Sequence, residues 1–94
     1  MTNDQKRLGF VGIIVDDRKK CSGEVNHVIG EHASLVLART GLPNAKGNTS
    51  VITLVIDATT DELGELTGKL GRIKGISVKS GLAKQTVSNL KSET

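Results

Sequence analysis

Apolar residues change their spacing several times along the first half of the chain, and each change marks a predicted element. The β-branched and aliphatic run at residues 8–15 predicts a first strand that ends at two adjacent aspartates. At residues 18–32 the apolar positions recur at i, i+4, i+7 and i+8, which is the spacing of one helical face. Alternation of period two returns at residues 34–40. The Gly-Leu-Pro-Asn sequence at 41–44 is expected to end this second strand and open a loop that lasts to Thr49.

The second half repeats this order with a stronger local signal. The apolar run at residues 51–56 predicts a third strand. Thr59 and Glu62 have the spacing of a capping box, so a second helix is expected to follow them, with Gly75 as its C-terminal stop. The apolar face of this helix consists of Leu63, Leu66, Leu70 and Ile73. Alternation at residues 76–82 predicts a last strand, followed by a polar tail.

The resulting order is strand, helix, strand, strand, helix, strand. When each helix acts as a right-handed crossover, this order gives an α+β fold of the ferredoxin-like βαββαβ type, with a four-stranded antiparallel sheet and two helices on one face. The length of 94 residues is that of a single domain. We therefore predict one domain over residues 1–94, with a frayed N-terminus at 1–6 and a C-terminal tail at 85–94.

Two of the predicted strands are apolar on both sides, although helices that cover one face should leave the other polar. The first strand carries Val11, Ile13 and Val15 on one parity and further apolar residues on the other, and the third strand has the same character. Because these strands are the expected central pair, an apolar patch should lie in mid-sheet, and such patches usually mark a partner surface. We predict that a second protomer covers it, with Val11, Ile13 and Val15 among the contacts. The alternative is that the C-terminal tail folds over the central strands.

Glycines in the second helix form another candidate contact. At about 100° per residue, Gly64, Gly68 and Gly71 cluster on the side opposite the apolar face. Each glycine inside a helix costs about 0.5 to 1 kcal/mol relative to alanine, so this glycine stripe needs a reason. Close approach of another backbone or a ligand is one reason, and a helix left marginal is the other. We predict that the glycine stripe is an interface.

Composition and charge bound the function. The formal charge of +3 is spread along the chain and one aromatic residue is available for base stacking, so nucleic-acid binding is not favoured. The apolar runs are far shorter than the roughly 18 residues of a membrane-spanning helix, and the polar N-terminus lacks the pattern of a signal peptide. The single cysteine fits a reducing compartment, and we expect a cytoplasmic protein with no membrane partner.

Candidate residues for catalysis or metal binding are sparse. Cys21, His27 and His32 are suitable zinc or nickel ligands, but one helix cannot bring them together, and a site shared between subunits is the remaining alternative. The same helix offers no acid with the spacing to orient a histidine. Asp17 or Asp16 is better interpreted as the N-cap of the first helix. We therefore expect no catalytic residue, no metal site, no cofactor and no enzyme activity.

Residues 59–80 closely resemble a family of small stand-alone proteins named as regulators of iron-only hydrogenase systems. The sequence Arg-Thr-Gly-Leu-Pro at 39–43 is similar to a glycine-aliphatic-proline turn of the same family. The resemblance spans residues 8–84. It implies a ferredoxin-like domain related to ACT domains and to the C-terminal domain of the nickel-responsive repressor, which are oligomeric modules that bind effectors.

The resemblance also implies where an effector would bind. ACT-like oligomers would seat it where the turn after the first strand meets a neighbour's second strand, which corresponds to Asp17 and Arg18, with Gly41 and Pro43 nearby. The turn lacks the glycine that ACT domains use for amino acids, which argues against that ligand class. We expect a regulatory homo-oligomer, a dimer or tetramer, that senses a small molecule or docks on a partner protein. The alternatives are a structural interaction module without a ligand, and a nucleic-acid-binding regulator that acts as an oligomer.

Overall fold

The strands and helices follow the predicted order. The computed structural model describes residues 5–84, apart from the side chain of Arg18. Its elements are β1 (Arg7–Val15), α1 (Arg18–Glu31), a short 3-10 turn (Ala33–Leu35), β2 (Val36–Lys46), β3 (Thr49–Ala58), α2 (Thr60–Gly71) and β4 (Ile76–Leu82). Of the predicted frayed N-terminus at 1–6, residues 1–4 lie outside the described residues, and Lys6 contacts the Glu62 carboxylate at 3.1 Å. The predicted tail at 85–94, and the alternative in which it covers the sheet, also lie outside the described residues.

The four strands form one sheet in the order β2-β3-β1-β4, and every neighbouring pair is antiparallel. The strands β1 and β3 are the central pair, as expected. Residues of both helices pack against the same side of this pair, because the core cluster joins α1 and α2 side chains to one parity of β1 and β3. The prediction of an α+β, ferredoxin-like βαββαβ fold is confirmed.

The core corrects one of the interface predictions. Val11, Ile13 and Val15 lie on the helix side of β1 and are at most 2% exposed, so the prediction that they contact a second protomer is wrong. Both parities of β1 are apolar, and a period of two cannot tell which parity the helices cover. One signal was available: Gly12 interrupts the other parity, whereas these three β-branched residues follow one another without a break.

The second strand is longer than its sequence predicts. It continues through the Gly-Leu-Pro-Asn segment that was expected to end it, and a two-residue turn at Gly47 (φ 62°) replaces the expected loop at 44–49. Proline is tolerated there because β2 is an edge strand. The irregularity appears instead as a bulge, in which residues 43–45 lie opposite Ser50 alone. Asn44 adopts a left-handed φ of 53° in this bulge, and its N–H donates to Ser50 Oγ at 3.3 Å.

The start of α2 agrees with the prediction and its end does not. Thr59 is the N-cap, its side chain accepts from Glu62 N, and the Glu62 carboxylate accepts from Thr59 N, which completes the capping box. The helix ends at Gly71 rather than at Gly75. Gly75 lies in the connection to β4 with a φ of 84°, and its carbonyl accepts from Asp16 N at 2.9 Å. It therefore joins the start of β4 to the turn after β1.

Candidate functional site

A cleft of about 230 Å³ lies between α1 and the hairpin of β2 and β3. Gly41 helps to open it: it pairs with Ile52, which shares its parity with the buried Leu54, so a side chain at position 41 would point to the helix side of the sheet. A Cβ placed there would meet no atom within 4 Å. The bulge after Leu42 forms the adjacent wall. Local backbone features of β2 thus create a concave surface at the sheet edge.

The cleft is lined by two kinds of side chain. The lining includes the apolar residues Val15, Leu42, Pro43, Val51 and Ile52, and polar groups come from Ser22, Asn26, Arg39 and Ser50. Leu42 and Val51 pair with each other on the parity opposite to Gly41, so their side chains are directed to the other side of the sheet. Arg39 pairs with Leu54 across the hairpin, which directs it to the helix side, and its Nη2 donates to Asn26 Oδ1 at 2.6 Å. Ser50 is 5% exposed, and its hydroxyl already accepts from the bulge.

The predicted ligand-binding residues divide between two places. Gly41 and Pro43 line the cleft, whereas Asp17 does not. Asp17 is the N-cap of α1, where its Oδ1 accepts from Lys19 N at 3.1 Å, and Arg18 is the first residue of the helix. Asp17 instead borders a separate hollow of about 310 Å³ that also contains Cys21. A ligand in the cleft of one chain would therefore not touch all four residues.

Four polar cleft residues were missed by sequence reasoning. Ser22 and Asn26 have the i, i+4 spacing of one helical face, and that face carries their side chains toward the hairpin. Arg39 lies in the Arg-Thr-Gly-Leu-Pro segment that resembles the family turn, so it could have been included with Gly41 and Pro43. Nothing in the sequence pattern indicated Ser50, because its role depends on the bulge opposite it.

The three candidate metal ligands occupy different environments. The Cys21 thiol is buried and donates to Lys74 O at 3.3 Å. The His27 ring lies 3.5 Å from the carboxylate of Glu31, four residues later on the helix surface, so the expectation that this helix has no acid spaced to orient a histidine is wrong. His32 Nδ1 lies 2.9 Å from Val28 O at the end of α1. Within residues 5–84 no group of three His, Cys, Asp or Glu side chains is placed to hold a metal ion.

Two further surfaces correspond to the predicted interfaces. The glycine stripe of Gly64, Gly68 and Gly71 is exposed on α2, and a Cβ at any of the three would meet no atom within 4 Å. The second surface is the side of the sheet away from the helices, called here the outer face. It exposes Phe10 (50%), Ile14 (44%), Leu42 (60%) and Val55 (43%) on adjacent strands. The apolar patch predicted for mid-sheet therefore exists, but on the parity opposite to Val11, Ile13 and Val15.

The sequence between residues 7 and 80 matches the model of the TM1266-like family, described as "Iron-only hydrogenase system regulator, putative". The chain belongs to this family. None of the curated proteins matches the sequence. Among the described residues of this TM1266-like protein, no helix has the length and apolar character needed to cross a membrane.

Solved structures support the same assignment. The uncharacterized protein TM1266 from Thermotoga maritima is 36% identical, with a TM-score of 0.80 over 85% of this chain and 100% of that one. The ACT domain from GTP pyrophosphokinase of Chlorobium tepidum is 26% identical, with a TM-score of 0.64 over 81% of this chain and 99% of that domain. The C-terminal domain of MgtC from Mycobacterium tuberculosis shares the fold at 16% identity, with a TM-score of 0.67 over 88% and 94% of the two chains. The TM1266-like family thus has an ACT-like fold.

Proposed function

We propose that this protein is a regulatory domain that binds a small-molecule effector in the cleft between α1 and the β2–β3 hairpin and acts as a homo-oligomer. The composition of the cleft carries the proposal: apolar and polar side chains line one concave surface, and a few polar groups beside an apolar wall can orient a small molecule. Membership of a family described as hydrogenase system regulators supports the regulatory part of the proposal.

The cleft favours binding over catalysis. The described residues of its lining supply hydroxyl, amide and guanidinium groups, but no cysteine, histidine or carboxylate that could act as nucleophile or general base. Cys21, the candidate nucleophile of the sequence, borders a different hollow and bonds to a backbone carbonyl. An effector would therefore bind and dissociate without being chemically converted. Its effect on the protein would be a change in stability or assembly.

A thermal-shift screen against carboxylic acids, amino acids, nucleotides and divalent metals tests this proposal. A compound that binds the native state raises the melting temperature as its concentration exceeds the dissociation constant. Gly41→Val should abolish the response to any compound that binds in the cleft, because the added side chain occupies open space there without a clash. Valine also suits a strand, so the variant should fold.

The matched control is Thr40→Val on the same strand. Thr40 has the opposite parity to Gly41, so the same side chain is placed on the outer face and the cleft is unchanged. The effector proposal requires a response in the wild type and in Thr40→Val, and none in Gly41→Val. A response that survives in Gly41→Val would place the ligand elsewhere.

A second candidate function is a protein interaction module without a ligand. The outer face favours it, since apolar side chains of three adjacent strands are 43 to 60% exposed there. If no compound of the screen shifts the melting temperature, while Phe10→Asp abolishes an association of the chain, this second function is the better description.

A further inference from the structure

Among the side chains that the structure describes, which do not include that of Arg18, one charged group lines the cleft, and it is positive. This group is the guanidinium of Arg39. Among residues 5–84, no carboxylate lies within salt-bridge distance of its guanidinium, although four other basic–acidic contacts occur elsewhere. Its bonded side chain is the neutral amide of Asn26. An arginine without a counter-charge at the wall of a cleft is suited to an anionic ligand.

The donors near Arg39 favour a planar anion. A guanidinium has five N–H donors in a fixed fork, and the bond to Asn26 Oδ1 uses one of them. Because Asn26 Oδ1 accepts from Arg39, its Nδ2 group is left as a second donor on the same wall. A carboxylate matches the fork in a bidentate arrangement and has lone pairs for the amide as well.

The rest of the lining indicates what the carboxylate is attached to. Val15, Pro43 and Ile52 give the cleft an apolar wall next to the polar one. Its volume of about 230 Å³ lies below the roughly 300 to 1,000 Å³ of sites for drug-sized ligands. A short branched or linear hydrocarbon fits this space, and a nucleotide does not.

The charge of the cleft also discriminates between small anions. An α-amino acid would bring an ammonium group, and the described residues of the lining include no carboxylate to pair with it. A phosphate dianion would meet one positive group among the described side chains, that of Arg39, and the N-terminus of α1 is already capped by Asp17. One negative charge matches one guanidinium.

Resting on the effector-binding function proposed above, we propose that the cleft binds a small aliphatic monocarboxylate, with its carboxylate on Arg39 and its hydrocarbon against the apolar wall of Val15, Pro43 and Ile52. Neither amino acids nor phosphate esters are its ligands. The specificity comes from the Arg39 guanidinium at the polar end and from a lining in which the described side chains include no acid to hold an ammonium group.

Isothermal titration calorimetry with four probes tests this inference. Isovalerate is the proposed ligand type, isovaleramide has the same shape without the charge, valine adds the ammonium group, and inorganic phosphate tests for a general anion site. Isovalerate should bind at least about tenfold more tightly than each of the other three, since a hydrogen bond to a charged group accounts for a factor of this size.

Variants of Arg39 test whether its guanidinium binds the carboxylate of the ligand. Arg39→Gln should weaken isovalerate binding at least about tenfold, and Arg39→Lys should recover part of the loss, because lysine keeps the charge without the fork. Lys79→Gln is the matched control. Lys79 pairs with Gly12 on the outer side of the sheet, so this substitution also removes one positive charge, but away from the cleft. Equal binding of valine or isovaleramide, or full binding in Arg39→Gln, would overturn the inference.

The failure of this inference differs from the failure of the proposed function. If isovalerate does not bind but another compound of the wider screen binds in a way that Gly41→Val abolishes, the monocarboxylate assignment is wrong and the effector function stands. If no compound binds, both are wrong. Binding of isovalerate that Gly41→Val and Arg39→Gln both weaken supports the two together.

Discussion

At the residue scale, two glycines near the C-terminal end of α2 have opposite requirements. Gly68 is exposed inside the helix with open space around it, whereas Gly75 has a φ of 84° and lies in the connection to β4. A Cβ at Gly75 would lie 3.4 Å from Cys21 Sγ. The first position tolerates a side chain and the second needs glycine for its backbone conformation.

We therefore expect Gly68→Ala to raise the free energy of unfolding by about 0.5 to 1 kcal/mol, because alanine restricts the unfolded chain and suits the helix. Gly75→Ala should lower it by about 1 kcal/mol or more, because L side chains are strained at positive φ. Urea denaturation of both variants measures the two effects. A loss of stability in Gly68→Ala that grows with protein concentration would show instead that the glycine stripe contacts another molecule.

The capping box gives a pH dependence to stability. Thr59 N donates to the Glu62 carboxylate at 2.9 Å and Lys6 Nζ at 3.1 Å, and these bonds lower the pKa of Glu62 below its ordinary value of 4.5. A carboxylate with a lowered pKa in the folded state stabilises the protein above the ordinary pKa, and this contribution is lost as the pH falls through the lowered value.

Comparing Glu62→Gln with the wild type from pH 7 to pH 3 measures this contribution. Glutamine keeps an acceptor for Thr59 but has no charge, so the wild type should be more stable at neutral pH. The difference should shrink once the pH falls below 4.5. The effect should be small, since the Lys6–Glu62 pair is largely exposed. A difference that is constant with pH would mean that the charge of Glu62 does not contribute.

At the scale of elements, the bulge of β2 links the stability of the hairpin to the shape of the cleft. Asn44 holds a left-handed φ of 53°, and its N–H bonds to Ser50, which lines the cleft. Asparagine tolerates this conformation better than most residues. Asn44→Ala should therefore lower the free energy of unfolding by about 1 kcal/mol, while Asn44→Gly should be close to neutral.

Thermal denaturation of the two Asn44 variants, together with binding of a cleft ligand, separates stability from shape. Asn44→Gly keeps the bulge and should keep the binding, whereas Asn44→Ala should weaken both. If Asn44→Ala is as stable as the wild type, the left-handed conformation is not required by the hairpin.

The same elements show which features of the fold can be predicted from sequence. The start of α2 was predictable because Thr59 and Glu62 bond to each other within one turn. The course of β2 was not, because Pro43 usually ends a strand and is accepted here only at the sheet edge, which is a property of the whole sheet. The end of α2 was placed too late, because Gly75 has the backbone of a C-terminal stop but lies one connection further along.

The residues of the candidate site likewise include some that could be predicted from the sequence and some that could not. Gly41 and Pro43 could be chosen because their segment resembles the family turn, and both line the cleft. Arg39, the only charged residue of the lining among the described side chains, belongs to the same segment but has an ordinary position in an alternating strand. Asn26 reaches it from α1 over 13 positions in the sequence, and periodicity carries no information about such a contact.

At the scale of the whole molecule, the exposed apolar side chains lie together on the outer face. Phe10 pairs with Val55, and both Ile14 and Leu42 pair with Val51, so the exposed residues of β1, β2 and β3 form one continuous patch. Charged residues border this face on β4, where Lys79 lies beside Gly12, and on β3, where Asp57 lies beside Leu8. An apolar centre with a charged edge is typical of a surface that another protein covers.

We expect the chain to be a dimer or tetramer at micromolar concentrations, joined through this outer face, so that light scattering gives a multiple of the monomer mass of 9.9 kDa. Phe10→Asp and Ile14→Asp should each return the mass to the monomer, because burying an unpaired carboxylate in an apolar interface is unfavourable. Both side chains are half exposed, so circular dichroism should show that the variants remain folded.

Two further variants complete the comparison. Gly68→Glu adds a negative charge to the glycine stripe, and Ser34→Asp adds one to the exposed 3-10 turn as a control. Both should keep the oligomer if the outer face is the interface. Dissociation by Gly68→Glu alone would assign the interface to α2 instead, and would explain why the helix retains glycines that cost it stability. A wild type that stays at the monomer mass across micromolar concentrations would exclude both surfaces as sites of self-association, leaving the outer face free for a different protein.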